Sequence, residues 1–212
     1  IYHVTGEKVP EGKLPLDVGA VVLNCTTISS IARYCRTGLP LVKKCVTVDG
    51  SAVKNPMNVL VPIGMRMKDV FEATGGFKEE PKMVLYGGPM MGIAVPDLEQ
   101  PILKNTNAIL AFGEAEATPP EPTACIKCGK CIAHCPLSLM PCEMETAYKK
   151  GNIERLMHLK VNLCMECGCC SFICPAHRPL VQTNKLAKAQ VMAYKNALKA
   201  KAEAEKQKEA AK

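Results

Sequence analysis

Aromatic side chains are scarce in this chain of 212 residues. Phe, Trp and Tyr together make up 4% of the sequence, and tryptophan is absent. Modules that bind single-stranded RNA or DNA usually stack the bases on aromatic rings. The scarcity of such rings therefore argues against a nucleic-acid-binding function.

The sequence also lacks a long apolar run. The best runs, at residues 20–23 and 108–112, have the length of a strand, whereas a bilayer-spanning helix needs about 20 apolar residues. We therefore expect no transmembrane segment of its own. The sequence starts at Ile1, and no basic stretch followed by an apolar stretch comes after it. We thus expect no signal peptide, and we expect that an upstream part of the protein lies outside this sequence.

Cysteine, in contrast, is abundant, with 13 residues. Ten of these 13 lie between Cys125 and Cys174. Disulfide scaffolds are usually small secreted domains, so the crowding of cysteines in one part of a longer chain favours a metal site over a disulfide framework.

Eight of these cysteines form two copies of one spacing, C-x2-C-x2-C-x3-C, each followed by proline. The second copy starts 39 residues after the first. This pattern is typical of proteins with two [4Fe–4S] clusters, in which the first three cysteines of a motif bind one cluster and the fourth binds the other. The two segments read CIKCGKCIAHCP from Cys125 and CMECGCCSFICP from Cys164.

The spacing predicts that the two motifs exchange their last ligands. Cluster 1 is predicted on three cysteines of the first motif and one of the second, namely Cys125, Cys128, Cys131 and Cys174. Cluster 2 is predicted on the remaining four, namely Cys164, Cys167, Cys170 and Cys135. Soft thiolates also bind zinc, so a structural zinc ribbon is the alternative at this stage.

Five further cysteines fall outside the repeated spacing, and we predict no metal for them. Cys142 and Cys169 are expected to pack as small side chains near the ligands. The other three lie among aliphatic residues, where a free thiol behaves as a small hydrophobe: Cys25, Cys35 and Cys45. No residue of the sequence is predicted to be catalytic.

The sequence pattern divides the chain into successive segments. Residues 1–38 do not make a closed unit. Residues 39–112 read as strand, strand, helix and strand, which predicts a small α+β domain. Residues 113–123 contain three prolines and predict an extended linker. Residues 124–184 hold both cysteine motifs, joined by short helices, and residues 185–212 carry eight Lys and three Glu, which predicts a basic helical tail.

These segments together resemble the C subunit of the Rnf complex, a membrane-bound, ion-translocating ferredoxin:NAD oxidoreductase. The resemblance covers nearly the whole chain and includes both cysteine motifs. The other segments that carry it are LPLDVGAVVLNCTT from Leu14, GLPLVKKCVTVDG from Gly38, VLYGGPMMG from Val84, ILKNTNAIL from Ile102 and RPLVQ from Arg178.

The resemblance also implies a fold and cofactors. Residues 39–112 would form a β-grasp domain of the soluble-ligand-binding type, followed by a mostly helical, ferredoxin-like domain with two [4Fe–4S] clusters and by the helical tail. Residues 1–38 would be the last part of a flavin- and NADH-binding domain, and FMN and NADH would bind to the part that precedes this sequence. Similarity to the flavin subunit of respiratory complex I places Asn24 and Thr27 next to the flavin.

The implied function is to relay electrons to or from that flavin and NADH site, in a complex that translocates Na+ or H+. The chain would be a peripheral subunit at the cytoplasmic face of the cell membrane. It would contact other Rnf subunits, including membrane-embedded ones, and ferredoxin only indirectly, and this part alone would not be catalytic. The cysteine motifs by themselves also allow an iron–sulfur adaptor of a soluble cytosolic dehydrogenase, or a zinc-stabilised binding module.

Overall fold

The computed structural model describes residues 1–210, with the side chains described as far as residue 204. The last two residues of the predicted tail, Ala211 and Lys212, lie outside the described residues. In the described part of the chain, no helix is both long enough and apolar enough to cross a membrane.

The chain forms two compact units, which are described separately below. Unit 1 consists of Ile1–Gly87 and Ala94–Gly113. Unit 2 consists of Gly88–Ile93 and the chain from Glu114 onward.

One mixed sheet is built from five strands. They are β1 (Lys43–Asp49), β2 (Met57–Pro62), β3 (Met83–Tyr86), β4 (Ile93–Ala94) and β5 (Ala108–Phe112). Their order in the sheet is β2-β1-β5-β3-β4. β1 pairs antiparallel with β2 and parallel with β5, and β3 pairs antiparallel with β5.

The sequence of β1 alternates between buried and more exposed positions, as expected of a strand with one face on a core. Val46 and Val48 lie on the buried face, and Val48 pairs with Met57 of β2. Asp49-Gly50 is a dipeptide typical of hairpin turns, and β1 and β2 do form a hairpin. Its connection is longer than a two-residue turn, because the pairing of the two strands begins only at Met57.

A short helix, α3 (Met67–Ala73), covers the sheet. Its three buried residues, Met67, Val70 and Phe71, follow helical spacing, and the Phe71 ring lies 4.8 Å from the ring of Phe77. The core of unit 1 joins these residues to buried aliphatic residues of the sheet and its loops. The order strand, strand, helix, strand is present as predicted, and the α+β class is confirmed.

Residues 1–38 form only short elements without a buried side chain. They are α1 (Tyr2–Thr5), a 3-10 turn (Pro15–Val18) and α2 (Cys25–Thr37). These residues contribute no side chain to the core of unit 1.

The predicted linker differs from the expectation in one respect. A helical turn, α4 (Glu114–Ala117), lies at the start of this segment. Its Glu and Ala residues favour a helix, and the three prolines come only after it. Residues 118–129 contain neither helix nor strand.

Unit 2 is helical. Its helices are α5 (Lys130–Ala133), α6 (Pro141–Lys149), α7 (Ile153–His158), α8 (Cys169–Phe172) and α9 (Leu180–Ala210), with a 3-10 turn at Val161–Leu163. The buried side chains of α6, α7, the 3-10 turn and α9 form one core, which includes Met144, Leu156, Val161, Ala187 and Val191.

The 39-residue repeat of the cysteine motifs extends to the backbone. α8 begins 39 residues after α5, and the residue before each helix is a glycine at positive φ, 75° for Gly129 and 83° for Gly168. Two further pairs of non-glycine residues at positive φ have the same offset, namely Lys127 with Glu166 and Ser138 with His177. The two motif loops therefore adopt the same local conformation.

Gly50 allows a sharp test of the sheet. A Cβ atom at Gly50 would lie 2.1 Å from the carbonyl oxygen of Ala111, whereas a Cβ atom at Gly64 would meet nothing within 4 Å, and both glycines have positive φ. We expect Gly64→Ala to lower the free energy of unfolding by about 1 to 2 kcal/mol, because alanine is strained at positive φ. Gly50→Ala should lower it clearly more, because the clash with Ala111 adds to that strain. Native-state hydrogen exchange of the slowest amides in β1 and β5 measures both. Equal losses would contradict the predicted clash.

Candidate metal centres

Four thiols line one cavity of unit 2, which we call the second-motif cavity. They are Cys164, Cys167 and Cys170 of the second motif and Cys135, the last cysteine of the first motif. The cavity is small, about 20 Å³. Burial, together with the nearby Cys164, raises the pKa of the Cys170 thiol to about 11. Because a thiol loses its proton when it binds a metal, metal binding at this cavity would release protons.

A second group of thiols lines what we call the first-motif cavity, of about 370 Å³. Cys125, Cys128 and Cys131 come from the first motif, and Cys174 is the last cysteine of the second. Cys142 also lines this cavity. Burial and then the neighbouring Cys142 raise the pKa of the Cys131 thiol to about 11. Each cavity thus has the same kind of donor set, with one cysteine from the other motif.

The thiols of neither cavity are arranged as the ligands of a single ion. Among the residues with described side chains, no three or more of His, Cys, Asp and Glu converge closely enough to hold one metal ion. A zinc site needs four ligands within about 2.0 to 2.3 Å of the metal. Four cysteines in the doubled C-x2-C-x2-C-x3-C spacing fit a polynuclear metal–sulfide group, in which each thiolate binds a different iron.

The extra cysteines differ in their surroundings. Cys142, predicted as a packing residue, lies at the first-motif cavity itself. Cys169 begins α8, and a hydrogen bond with Cys167 raises the pKa of its thiol. Three others, predicted to pack among aliphatic residues, are instead exposed in unit 1: Cys25, Cys35 and Cys45.

Arg178 follows the second motif and donates hydrogen bonds to Glu145 and to the backbone just before the first motif. Its Nε and Nη2 atoms each donate to one carboxylate oxygen of Glu145 at 2.7 Å. Its Nη1 donates to the carbonyl oxygen of Thr123 at 2.9 Å, two residues before Cys125. Lys149 Nζ lies 2.9 Å from Glu145 Oε1. Burial raises the pKa of Glu145, but the hydrogen bonds from Arg178 and Lys149 outweigh burial, so its pKa lies below the ordinary value.

The second motif is held by α9. Lys188 Nζ donates to the carbonyl oxygen of Cys164 at 2.9 Å and to Glu166 Oε1 at 2.6 Å. Asn184 is 1% exposed, and its Nδ2 lies 3.8 Å from Cys164 Sγ. Side chains of α9 therefore contact both the backbone and the thiol of the first cysteine in this motif.

Sequence reasoning missed these supporting residues, although the sequence contains a signal for four of them. Glu145 and Asn184 both lie ten residues after the last cysteine of a motif, and Lys149 and Lys188 both lie fourteen residues after it. Both pairs repeat the 39-residue offset. Extending the repeat beyond the cysteines would have identified them.

The predicted flavin-adjacent residues lie in unit 1. Asn24 and Thr27 line one cavity of about 370 Å³, together with Lys44 and Lys104. Asn24 caps α2, where its Oδ1 accepts from the backbone N–H of Thr26 at 2.8 Å. Lys44 Nζ donates to the carbonyl oxygen of Lys104 at 2.6 Å, and burial lowers the pKa of Lys44. The cavity brings the two residues together, and the flavin contact stays a prediction.

Comparison with known proteins adds two findings. A family model, SLBB domain, matches residues 45–94. The chain is 39% identical, over 92% of its length and 44% of the relative's, to the C subunit of the Na(+)-translocating ferredoxin:NAD(+) oxidoreductase complex of Acetobacterium woodii. It is 43% identical, over 66% of its length and 31% of the relative's, to the proton-translocating counterpart of Clostridium ljungdahlii. It is 37% identical, over 90% of its length and 37% of the relative's, to the C subunit of the ion-translocating oxidoreductase complex of Rhodobacter capsulatus.

These matches relate the chain to subunits of ion-translocating oxidoreductase complexes. Within that class, the chain is related to the C subunit, so the resemblance seen in its motifs is confirmed. The chain spans less than half the length of these curated relatives.

The ion pair of Glu145 with Arg178 should stabilise unit 2. Glu145→Gln leaves the largely buried Arg178 without a charged partner, so we expect a loss of about 2 kcal/mol or more. The matched control is Glu143→Gln on the same helix, where an exposed pair with Arg155 at 3.8 Å should contribute less than about 0.5 kcal/mol. Urea midpoints from circular dichroism under anaerobic conditions compare the two. An equal effect of both variants would contradict the assigned role of Arg178.

Proposed function

We propose that this chain relays single electrons through two [4Fe–4S] clusters. Cluster 1 binds to Cys125, Cys128, Cys131 and Cys174, and cluster 2 binds to Cys164, Cys167, Cys170 and Cys135. One observation carries the proposal: each cavity is lined by the first three cysteines of one motif and the last cysteine of the other. This is the distribution that the doubled C-x2-C-x2-C-x3-C-P spacing leads one to expect.

The spacing of the cysteines favours clusters over zinc. Each cavity has the four predicted thiols, with Cys142 as a fifth at the first-motif cavity, and soft thiolates suit iron–sulfur groups as well as zinc. A structural zinc site needs only four ligands, usually from two C-x2-4-C pairs, whereas a third cysteine at the same interval and a trailing C-P, present twice here, are typical of two-cluster proteins. The cysteine spacing therefore supports [4Fe–4S] clusters, and the cavities supply the four thiols that each cluster needs.

The protein residues around each cavity have distinct roles in this proposal. When bound, a [4Fe–4S] cluster accepts and releases single electrons. The thiolates hold the irons, and the N–H of Leu139 donates to Cys135 Sγ at 3.3 Å. Apolar residues limit the access of water, including Leu139 and Val181 at the second-motif cavity and Ile132 and Leu180 at the first.

We further propose that the chain works within a ferredoxin:NAD oxidoreductase complex coupled to Na+ or H+ translocation. The support is the relationship to proteins named as the C subunits of such complexes. In this proposal the chain is a peripheral subunit on the cytoplasmic face of the membrane. It contacts other subunits of the complex, including membrane-embedded ones, and receives or passes on electrons of ferredoxin indirectly. FMN and NADH bind outside these 212 residues, and Asn24 and Thr27 lie near the flavin.

The crossed ligation can be tested by single cysteine substitutions. Anaerobically purified protein should contain about eight irons and eight sulfides, as two [4Fe–4S] clusters require. Cys174→Ala should abolish the EPR signal of cluster 1, and Cys135→Ala that of cluster 2. Cys142→Ser and Cys169→Ser are the matched controls, because both thiols lie near the cavities but outside the ligand spacing.

Two outcomes would contradict the crossed ligation. A wild-type protein with only half the expected iron would exclude two clusters. Loss of cluster 2 in Cys174→Ala, or of cluster 1 in Cys135→Ala, would show that each motif binds its own fourth cysteine. Loss of iron in either control would add a ligand that the spacing does not predict.

The place of the chain in a membrane complex is tested by purification of the native assembly. We expect membrane-embedded subunits to co-purify with it in detergent and to be identified by mass spectrometry. Recovery of an active complex from the soluble fraction without such subunits would instead support an iron–sulfur adaptor of a cytosolic dehydrogenase.

A further inference from the structure

Asn184 of α9 is an unusual residue to find at the base of the second-motif cavity. It is 1% exposed and lines the cavity beside Cys164. Its Nδ2 lies 3.8 Å from Cys164 Sγ, within the range of a hydrogen bond to sulfur. Its Oδ1 is buried and has no hydrogen-bond partner among the described residues.

The unpartnered Oδ1 makes this residue costly for folding. Leaving a buried acceptor without a donor costs about 1 to 3 kcal/mol. A leucine of similar size would avoid that cost. The contact between Nδ2 and the Cys164 sulfur is the interaction that a leucine could not make, so the amide group is explained by that contact.

The orientation of the amide follows from the same contact. A metal-bound thiolate has no proton and can only accept hydrogen bonds. If the amide were rotated, Oδ1 would face the sulfur, and two acceptors would repel each other. The arrangement with Nδ2 toward Cys164 is therefore the favourable one.

Lys188 keeps the Cys164 sulfur in reach of this amide. Its Nζ donates to the carbonyl oxygen of Cys164 and to Glu166, two residues further along the motif loop. Asn184 and Lys188 lie one helical turn apart on α9, so both contact the same loop from the same side.

The first motif has a different residue at the equivalent position. Glu145 takes the place of Asn184 in the 39-residue repeat. Its carboxylate accepts hydrogen bonds from Arg178 and Lys149 and has no proton to donate to a thiolate. The two cavities thus differ in whether a side-chain amide faces a cysteine sulfur.

We propose that Asn184 is a positioning residue that donates a hydrogen bond to the Cys164 thiolate and thereby raises the reduction potential of cluster 2. This inference rests on the proposed function, since it requires a cluster at the second-motif cavity. Reduction adds one electron to the cluster and its thiolates, and a hydrogen-bond donor stabilises the more negative state. No proton is transferred in this step.

The test is a potentiometric EPR titration of both clusters in the anaerobically purified full chain. Asn184→Leu removes the donor and keeps the volume. We expect the equilibrium constant for reduction of cluster 2 to fall by up to tenfold. For one electron, a tenfold fall lowers the reduction potential by about 59 mV. Cluster 1 should not shift. Thr183→Val is the matched control, because Thr183 is also buried on α9 but donates to the carbonyl oxygen of Pro179.

Thermal unfolding supplies a second readout. Because the variant removes an unpartnered buried carbonyl group, Asn184→Leu should be at least as stable as the wild type. If Asn184→Leu does not hold cluster 2, Asn184→Ala is titrated in its place. Loss of cluster 2 in both variants would overturn the proposal, since the amide would then be needed for assembly.

The remaining outcomes separate this inference from the proposed function. A wild-type protein without two [4Fe–4S] signals would refute the proposed function itself. Two intact clusters with an unchanged potential of cluster 2 in Asn184→Leu would refute only the role of Asn184. An equal shift in the reduction potentials of both clusters in Asn184→Leu would also refute this role. The same shift in Thr183→Val would refute it too, because the effect would then not depend on the amide of Asn184.

Discussion

The structure of unit 2 depends on one constraint, which is that the last thiol of each cysteine motif lies at the cavity of the other motif. Neither motif loop can therefore move without displacing a thiol of the other cavity. The constraint also explains why α5 and α8 are short and adjacent, with Cys131 and Cys170 buried in one cluster. Several non-glycine residues of the loops have positive φ, a conformation that persists only where the surrounding structure enforces it.

The two halves of unit 2 satisfy this constraint with different polar groups. At the first motif, a buried carboxylate is shared by Arg178 and Lys149, because a buried charge is tolerated only when it is paired. At the second motif, a neutral amide takes the equivalent position and Lys188 pairs with the loop itself. The backbone repeat therefore does not extend to the electrostatic surroundings of the two cavities, and the cavities also differ in volume.

Local sequence patterns predicted the elements whose formation is itself local. The order strand, strand, helix and strand predicted for residues 39–112 appears as β1, β2, α3 and β3. The grouping of the cysteines was predictable in outline, because the spacing limits which thiols a loop can bring together. The position of Cys142 was not, since α6 reaches the first-motif cavity through tertiary packing, and Asn184 could be found only by extending the 39-residue repeat beyond the cysteines. The burial of Lys44 in β1 was also not predictable, because the carbonyl oxygen that accepts a hydrogen bond from its Nζ belongs to Lys104, which is distant in sequence.

The internal repeat has a consequence for how such a unit can be built. A chain with only one copy of the repeat would supply three thiols to one cavity and a single thiol to another. It could complete a four-thiol site only by pairing with a second copy of itself, and the pair would then contain two sites related by a twofold axis. Joining both copies in one polypeptide removes the need for that association. It also frees the two halves to diverge, as Glu145 and Asn184 have done.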